Sequence, residues 1–348
     1  MIETPDRLTL PYTAEVALAT SHLRARVARS LTAAEWELFA PYVARIEALK
    51  RERNAVVLAH HYQTPEIYHC VADAIGDSLA LAQAAAATEA DVIVMCGVHF
   101  MAETAKLLNP GKTVLLPDLE AGCSLAASIS PGDVRALRAQ HPGAPVVTYV
   151  NTTAAVKAES DVCCTSANAV SVVESLGVPK VIFLPDEYLG AYVAANTSVE
   201  IVTWGGHCEV HERFTGAQIG ELREMHPAIV VLAHPECPRD VLEAADFVGS
   251  TTAMLGYVKE RRPAEVAMIT ECSMAGNLAD AFPETAFTQP CNLCPHMRRI
   301  TLPKILRALE TMAPQIGIEP AVAARARRAV ERMTAIGRDA KTRAAGAA

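Results

Sequence analysis

The chain has 348 residues, of which 51% are hydrophobic and only 5% aromatic, and its formal net charge is −8. This length predicts two or three domains rather than one core, and the negative charge argues against nucleic acid as the main partner. We find neither an apolar run long enough to span a membrane nor a signal peptide, and we expect a cytoplasmic protein. In that reducing compartment, the ten cysteines are expected to bind metals, to take part in catalysis or to lie in the core, rather than to form a disulfide framework.

The first 50 residues predict two helices. Residues 14–30 favour a short helix, and Thr32 followed by Glu35 is typical of the start of another, which we expect to run to about Arg53. Its predicted apolar face carries Leu38, Tyr42, Ile46 and Leu49. We expect this N-terminal segment, residues 1–50, to pack on the first domain.

From residue 54 onward, one pattern occurs three times. Each copy starts with a buried strand, continues through a small polar stretch, a second strand and a helix, and ends in a third strand that leads into a cysteine. These cysteines, Cys123, Cys208 and Cys294, lie 208 − 123 = 85 and 294 − 208 = 86 residues apart. The predicted strands cover residues 54–60, 91–96 and 113–117, then 145–151, 180–184 and 200–204, and finally 228–234, 265–270 and 285–289.

Strands that alternate with helices predict parallel sheets covered on both faces, and hence an α/β fold. The repeat predicts three pseudo-threefold-related α/β/α sandwich domains, with small parallel sheets around a central metal site. We expect these domains at residues 51–125, 126–210 and 211–295. C-terminal helices over 296–340 are expected to join the first domain, and 341–348 to form a frayed tail.

The three cysteines follow strands, and in parallel sheets ligand-binding groups collect at the carboxyl ends of strands. Three thiolates meeting there would hold zinc or an iron–sulfur cluster with one position left open; the alternative is three unrelated buried cysteines. Cys291 forms a CxxC with Cys294, a spacing also found in zinc knuckles and redox pairs. We interpret Cys294 as the ligand and Cys291 as an accessory thiol. The cysteines predicted to be core residues are Cys70, Cys96, Cys163, Cys164, Cys237 and Cys272.

Other polar residues beside the strands form a second candidate set. His60, Asn151 and His234 follow the first strands, where they can hold an anion or be structural. Glu236 is a candidate general base with a pKa raised by burial, or else a surface glutamate. The hydroxyls that can bind anions at helix N-termini, or simply cap the helices, belong to Ser78, Ser166, Ser250 and Thr251. The tyrosines that can orient a small ligand, or be buried with a bonded hydroxyl, are Tyr62 and Tyr149.

These residues stand in motifs whose order along the chain is informative. The motifs are AHHYQTPE (59–66), GDSL (76–79), FMAETAK (100–106), CSL (123–125), YVNTTAAVK (149–157), TS (165–166), WGGHCEVH (204–211), HPE (234–236), GST (249–251) and CPHM (294–297). Over about residues 35–340 the chain resembles the quinolinate synthase family, iron–sulfur transferases of de novo NAD biosynthesis.

The resemblance implies a triangular molecule of three domains with a [4Fe–4S] cluster held by Cys123, Cys208 and Cys294. The implied reaction condenses iminoaspartate with dihydroxyacetone phosphate to quinolinate, releasing phosphate and two waters, with the open iron as Lewis acid. An aspartate oxidase or an aspartate dehydrogenase would supply the imine. The residues implied in catalysis are Glu236, Tyr62 and His211. Those implied in substrate binding are His60, Ser78, Tyr149, Asn151, Ser166, His234, Ser250 and Thr251.

One departure from the family pattern concerns the last cysteine motif. Some members carry a CxxCxxC whose last cysteine precedes proline and is the ligand. Here Cys294 precedes Pro295, Cys291 takes the middle place and the first cysteine is missing, so a redox role of that extra pair does not carry over. Two alternatives stay open: another iron–sulfur hydro-lyase acting on a hydroxy acid, and a zinc-bound structural or scaffold protein.

Overall fold

A computed structural model describes residues 10–288 and 290–345 of the chain, with side chains up to residue 336. Within these residues, twelve strands form three separate four-stranded sheets, and all paired strands run parallel. The strands are β1 (Ala55–His60), β2 (Ala74–Gly76), β3 (Val92–Cys96), β4 (Thr113–Leu115), β5 (Val146–Tyr149), β6 (Val162–Cys164), β7 (Lys180–Leu184), β8 (Glu200–Thr203), β9 (Val230–Ala233), β10 (Phe247–Val248), β11 (Glu265–Ile269) and β12 (Ala286–Thr288).

The three sheets share one strand order. The first has the order β2-β1-β3-β4, the second β6-β5-β7-β8 and the third β10-β9-β11-β12. Every residue of β3 is buried, as expected for a parallel strand covered by helices on both faces. The predicted α/β fold with small parallel sheets is therefore confirmed.

Helices connect the strands and cover the sheets. They are α1 (Ala14–Arg24), α2 (Ala33–Glu52), α3 (Pro65–Cys70), α4 (Ser78–Ala87), α5 (His99–Leu108), α6 (Ser124–Ala127), α7 (Pro131–Gln140), α8 (Ala154–Lys157), α9 (Ala169–Ser175), α10 (Glu187–Ala195), α11 (Gly216–Met225), α12 (Arg239–Ala244), α13 (Thr251–Arg261), α14 (Ser273–Ala281), α15 (Leu302–Thr311) and α16 (Pro320–Ala345). Short 3₁₀ turns occur at Ala25–Val27, His211–Arg213 and Met297–Arg299.

Each sheet has one strand more than the sequence pattern predicts. The additional strands, β2, β6 and β10, are two or three residues long and fall just before the small polar stretch of each copy. Runs this short show no period that separates strand from loop. In the third copy, the predicted last strand, 285–289, is observed as β12, and residue 289 lies outside the described residues.

Helix α2 begins as predicted and buries most of the predicted face, since Ile46 and Leu49 are buried and Tyr42 is partly buried against the core. Thr32 caps it and Glu35 completes the capping box. Leu38, predicted to face the core, is 60% exposed, whereas Trp36 and Val43 are buried. Side chains two residues apart on an α-helix point in directions that differ by about 200°. Because Trp36 points into the core, Leu38 points to solvent.

The C-terminal helices extend further than predicted. Helix α15 packs on α2, and α16 packs against α5 of the first copy and against α8, α9 and β6 of the second. The tail predicted for 341–348 is wrong for 341–345, which belong to α16, and 346–348 lie outside the described residues. Within the described ranges, no helix combines the length and the apolar character needed to cross a bilayer.

Candidate active site

One cavity takes side chains from the strand ends of all three sheets. Its wall includes His60 at the end of β1, Tyr149 at the end of β5 and His234 just after β9. The structure thus brings together most of the residues singled out in the sequence. Those in the wall are His60, Tyr62, Ser78, Cys123, Tyr149, Asn151, Ser166, Cys208, His211, His234, Glu236, Thr251 and Cys294.

The predicted hydroxyl residues take different positions around this cavity. Ser78 and Thr251 are the first residues of α4 and α13, whereas Ser166 lies two residues before Asn168, the cap of α9. Ser250 is not in the wall. Its hydroxyl accepts the Ala253 N–H, which caps α13, and donates to the Asp77 carboxylate at 3.0 Å.

Two buried polar atoms of the cavity wall have no partner among the described residues. They are the Thr251 hydroxyl oxygen and the side-chain carbonyl oxygen of Asn151. Buried polar atoms in native proteins are almost always hydrogen-bonded. These two therefore leave hydrogen-bonding capacity for a ligand or for water inside the cavity.

The three cysteines lie in turns of one kind. Main-chain N–H groups two and three residues further along the chain face each sulfur: residues 125 and 126 face Cys123, residues 210 and 211 face Cys208, and residues 296 and 297 face Cys294. The turn at Cys208 also depends on Gly206, where a Cβ would stand 2.7 Å from the Pro185 carbonyl oxygen. Paired N–H groups aimed at a sulfur stabilise a thiolate.

The donor set at these turns fits a soft metal centre. Burial raises the pKa of Cys123 to about 12, that of Cys294 to about 11 and that of Cys208 well above its usual range, although the N–H groups act in the opposite direction. Three such thiols facing one cavity would ionise at neutral pH only beside a cation. Metal coordination supplies that charge and deprotonates thiols outright.

Of the other seven cysteines, Cys291 alone is exposed, and it pairs with Cys272 in a way that sequence reasoning missed. Cys272, predicted to be a core residue, and Cys291, predicted to be an accessory thiol, form a disulfide. The Cys272 N–H also donates to the Asn292 carbonyl at 3.3 Å. This bridge ties the third cysteine turn to the segment after β11. The cysteines found buried as predicted are Cys70, Cys96, Cys163, Cys164, Cys237 and, within its disulfide, Cys272.

Glu236 is the carboxylate at the centre of the site. It is 3% exposed, accepts a hydrogen bond from the Tyr149 hydroxyl at 2.5 Å, and lies 2.7 Å from Nδ1 of His211. Burial alone would raise the pKa of Glu236, as predicted. The neighbouring His234 and His211, with hydrogen bonds from His211 and Tyr149, outweigh burial and lower this pKa to about 2. The prediction of a raised pKa is therefore wrong, and the group is an ionised base at neutral pH.

His60 and His234 share one local arrangement. In each, Nδ1 accepts the main-chain N–H of the residue two further on: Tyr62 at 3.2 Å and Glu236 at 3.3 Å. Burial lowers the pKa of His60 well below its usual range and that of His234 to about 4. Both imidazoles are therefore neutral near pH 7. With Nδ1 as acceptor, Nε2 carries the proton and can donate to a ligand.

His211 joins the cysteine turns to the carboxylate. Its Nδ1 lies 3.2 Å from the Cys208 sulfur as well as 2.7 Å from Glu236, and its ring stacks on His234 with centroids 4.7 Å apart. The ligand atoms of Cys208, His211 and Glu236 all lie within 4.8 Å of one another. This group could itself hold a metal ion, so the structure offers a three-thiol centre and a mixed centre as alternatives that share Cys208.

Two further residues near the site are absent from the sequence-based set. Thr270 and Glu271 follow β11; the Thr270 hydroxyl lies 2.5 Å from the Tyr62 hydroxyl, and a Glu271 carboxylate oxygen accepts the Cys294 N–H at 3.3 Å. The sequence signal was present, since both residues follow a buried strand.

A cavity that joins thiols, imidazoles and an ionised carboxylate at the ends of three parallel sheets defines an α/β enzyme with a candidate metal centre. The family model described as NadA, quinolinate synthetase A protein, matches residues 44–335. The chain belongs to the quinolinate synthetase A family and is an enzyme of that family.

Curated relatives align over most of the chain. Quinolinate synthase 2 of Mesorhizobium japonicum is 64% identical over 311 residues, covering 89% of this chain and 96% of the relative. Quinolinate synthase of Agrobacterium fabrum is 62% identical over 319 residues, 92% of each chain. Quinolinate synthase of Xylella fastidiosa is 63% identical over 288 residues, 83% of this chain and 85% of the relative.

Proposed function

We propose that this chain is a quinolinate synthase of NAD biosynthesis, which condenses iminoaspartate with dihydroxyacetone phosphate and releases quinolinate, phosphate and two waters. The observation that carries this proposal is the meeting of three cysteine turns and the Glu236 carboxylate in one cavity, in a chain of the quinolinate synthetase A family. The names of relatives that are more than 60% identical support the same activity.

We propose Cys123, Cys208 and Cys294 as the ligands of a [4Fe–4S] cluster. The support is that the three thiols face one cavity and share one turn geometry. Three thiolates would leave one iron open, and when bound the cluster supplies a Lewis acid at that position.

Neutral donors hold the anionic substrates in this proposal. Among the described residues that line the cavity, none is lysine or arginine. Carboxylates and phosphate then depend on Nε2 of His60 and of His234, on the N-termini of α4 and α13, and on neighbouring hydroxyls and the Asn151 amide. The residues proposed for substrate binding are His60, Ser78, Tyr149, Asn151, Ser166, His234, Ser250 and Thr251. Ser250, outside the wall, would act by capping α13 and so fixing the N-terminus of that helix.

Glu236 is the proposed general base. Its carboxylate is ionised, buried and in reach of a substrate in the cavity, so it can take a proton during isomerisation and return it during dehydration. Tyr149 and Asn151 hold one of its oxygens, at 2.5 Å and 3.4 Å. Tyr62 and His211 complete the proposed proton-handling group on the side of the Cys208 turn.

The proposal also includes the domain boundaries, the source of iminoaspartate and the cellular compartment. We place the domains at residues 51–125, 126–210 and 211–295, with the N-terminal segment 1–50, of which 1–9 lie outside the described residues, assigned to the first. The C-terminal helices 296–340 are assigned to the first domain as well, although α16 also contacts the second. Iminoaspartate is an unstable imine, so an aspartate oxidase or dehydrogenase must supply it. We place the protein in the cytoplasm, where these small molecules occur.

One purification decides between this proposal and its rivals. Anaerobically isolated protein should contain about four irons and about four sulfides per chain, and should form quinolinate from enzymatically generated iminoaspartate and dihydroxyacetone phosphate. Zinc in place of iron would reject the cluster and favour a mononuclear site such as Cys208, His211 and Glu236. Iron and sulfide without quinolinate, together with dehydration of a hydroxy acid, would favour another hydro-lyase.

A further inference from the structure

The turn between β1 and α3 carries Tyr62 and contacts helix α14 of the third copy. Asn277 of α14 is 0% exposed and lies outside the cavity wall. The nitrogen of its side-chain amide is 3.2 Å from the His61 carbonyl oxygen and 2.8 Å from the Gln63 carbonyl oxygen. The two contacts therefore lie on either side of Tyr62 along the chain.

The partners of the Asn277 amide fix its orientation. Main-chain carbonyl oxygens only accept hydrogen bonds, so the NH₂ group must face them, and its two protons match the two acceptors. The amide oxygen of Asn277 has no partner among the described residues. The side chain therefore contributes its two hydrogen bonds to the turn, and neither bond depends on the protonation state of any group.

The hydrogen bonds of the turn within the first copy set its shape rather than its place. The His61 N–H donates to the Gly76 carbonyl at 3.3 Å, and the Gln63 N–H donates to the His60 carbonyl at 3.0 Å. His60 is the last residue of β1 and is held by pairing with β2. Tyr62 lies beyond the strand, so the position of its main chain depends on what packs against the turn.

A second contact of the same kind joins the first and second copies. Helix α5 lies between β3 and β4, as α14 lies between β11 and β12. A carboxylate oxygen of the buried Glu103, in α5, accepts the Ala154 N–H at 2.8 Å in the segment after β5. In both cases a buried polar side chain of this helix binds the main chain that follows the first strand of another copy. The recurrence indicates that such contacts between copies help to assemble the cavity wall.

We propose that Asn277 is a positioning residue for Tyr62, which holds the main chain of the turn so that the Tyr62 hydroxyl lies in the cavity wall, 2.5 Å from the Thr270 hydroxyl. The kinetic consequence rests on the proposed function, because the catalytic role of Tyr62 belongs to it. The structural consequence, a turn of the first copy held by the third, does not depend on the identity of the substrates.

A matched pair of variants separates positioning from stability. Asn277→Leu keeps a side chain branched at Cγ but donates nothing to the two turn carbonyls. It should lower kcat about tenfold or more, because displacing a reacting group by about 1 Å can cost about 10²-fold, and should change KM less than about threefold. Asn109, the control, is also buried and donates to the Ala85 and Ala105 carbonyls at 2.9 Å and 3.1 Å, outside the cavity wall. Both variants should melt below wild type, since each leaves two carbonyls without their donor, but Asn109→Leu should keep kcat.

A double-mutant cycle tests whether the effect of Asn277 passes through Tyr62. If Asn277 acts by placing the Tyr62 hydroxyl, Asn277→Leu should change kcat less than about twofold in a Tyr62→Phe background. A general loosening of the site would instead lower kcat by the same factor in both backgrounds. Iron and sulfide analysis should give equal contents for all four proteins of the cycle.

A second measurement needs no turnover. Hydrogen–deuterium exchange of the holoenzyme, measured in peptides spanning residues 61–66, should be about tenfold faster or more in Asn277→Leu than in wild type, because local opening of the released turn exposes its N–H groups. Asn109→Leu should leave this segment at its wild-type rate. If leucine prevents folding, Asn277→Ala takes its place with the same expectations.

The outcomes separate the two proposals. Wild-type kcat in Asn277→Leu, an equal loss in Asn109→Leu, or equal losses in both backgrounds of the cycle would overturn the positioning role. If wild-type protein forms no quinolinate, the proposed function fails, and exchange alone then decides: an unchanged rate over residues 61–66 in Asn277→Leu overturns the inference, and a local increase sustains it.

Discussion

The cysteine turns and the ends of the first strands behave differently across the three sheets. The turns are alike, since each sulfur faces the N–H groups two and three residues on. The strand ends are not. β1 and β9 lead to histidines whose Nδ1 accepts a main-chain N–H, while β5 ends in Tyr149, which donates to Glu236 instead. The candidate metal-binding turn recurs in all three copies, whereas the residues proposed to handle protons differ from copy to copy.

Corresponding positions make this difference concrete. His60, Tyr149 and His234 are spaced by 149 − 60 = 89 and 234 − 149 = 85 residues. Tyr62, Asn151 and Glu236, two residues further on in each copy, keep the same spacing. One backbone frame thus presents a phenol, an amide and a carboxylate at equivalent places, and only the third copy supplies a base there.

The largest expected effect tests whether the three turns are equivalent. Cys123→Ser, Cys208→Ser and Cys294→Ser should each abolish the iron–sulfur absorbance and lower turnover more than about 10³-fold, because a hard hydroxyl replaces a soft ligand. Iron and sulfide analysis of the purified variants measures this. Cys70→Ser, in α3 and outside the cavity wall, is the control that should keep its iron. Full cluster content in any of the three variants would remove that cysteine from the ligand set.

The next effect tests whether only the third copy carries the base. Glu236→Gln should keep its iron but lower kcat about 10²- to 10⁴-fold, the usual contribution of a general base, because the amide cannot accept a proton. Tyr62→Phe should lower kcat less, since it removes one hydroxyl group and no charge. Glu243→Gln, at an exposed position of α12, is the matched control. A Glu236→Gln enzyme with normal kcat would contradict the assignment.

Much of the fold could be predicted because its signal is local. Runs of four to six buried apolar residues, recurring with a period near 85, identify parallel strands without any knowledge of their partners. The strands β2, β6 and β10 could not be found this way, because they are held by pairing with β1, β5 and β9 rather than by their own pattern. The predicted burial of Leu38 on α2 was wrong for a related reason, since the elements packed against a helix decide where its buried stripe ends.

The candidate site was predictable as a set of residues but not as a set of interactions. Polar residues after strands lead to Glu236, His211 and Cys208, because strand ends of parallel sheets meet. The low pKa of Glu236 depends on His234, two residues earlier, and on His211 from another segment coming within reach of the carboxylate. The disulfide between Cys272 and Cys291 likewise depends on a tertiary contact that spacing does not encode.

A moderate effect tests the arrangement shared by the first and third sheets. Glutamine in place of His60 or His234 carries an N–H near the position of Nε2, whereas asparagine carries an oxygen near that of Nδ1. If Nε2 donates to an anionic substrate, His234→Asn should raise KM about tenfold or more, and His234→Gln should raise it less. Steady-state kinetics for each substrate in turn measure this. The reverse order would show that Nδ1, and hence the main-chain contact, matters more than donation to the ligand.

The smallest effect on activity tests the feature that sets the third turn apart, its disulfide. The bridge joins residues 19 apart, and closing a loop of this size stabilises a fold by about 3 kcal/mol in the chain-entropy account. Cys291→Ser should therefore lower the unfolding free energy by up to about 3 kcal/mol. It should leave iron content and kcat unchanged, because Glu271 still accepts the Cys294 N–H. Wild type treated with a phosphine reductant under anaerobic conditions should melt like the variant, and the variant should not respond to the reductant. Loss of iron together with the disulfide would mean that the third turn, unlike the other two, does not hold its cysteine by main-chain geometry alone.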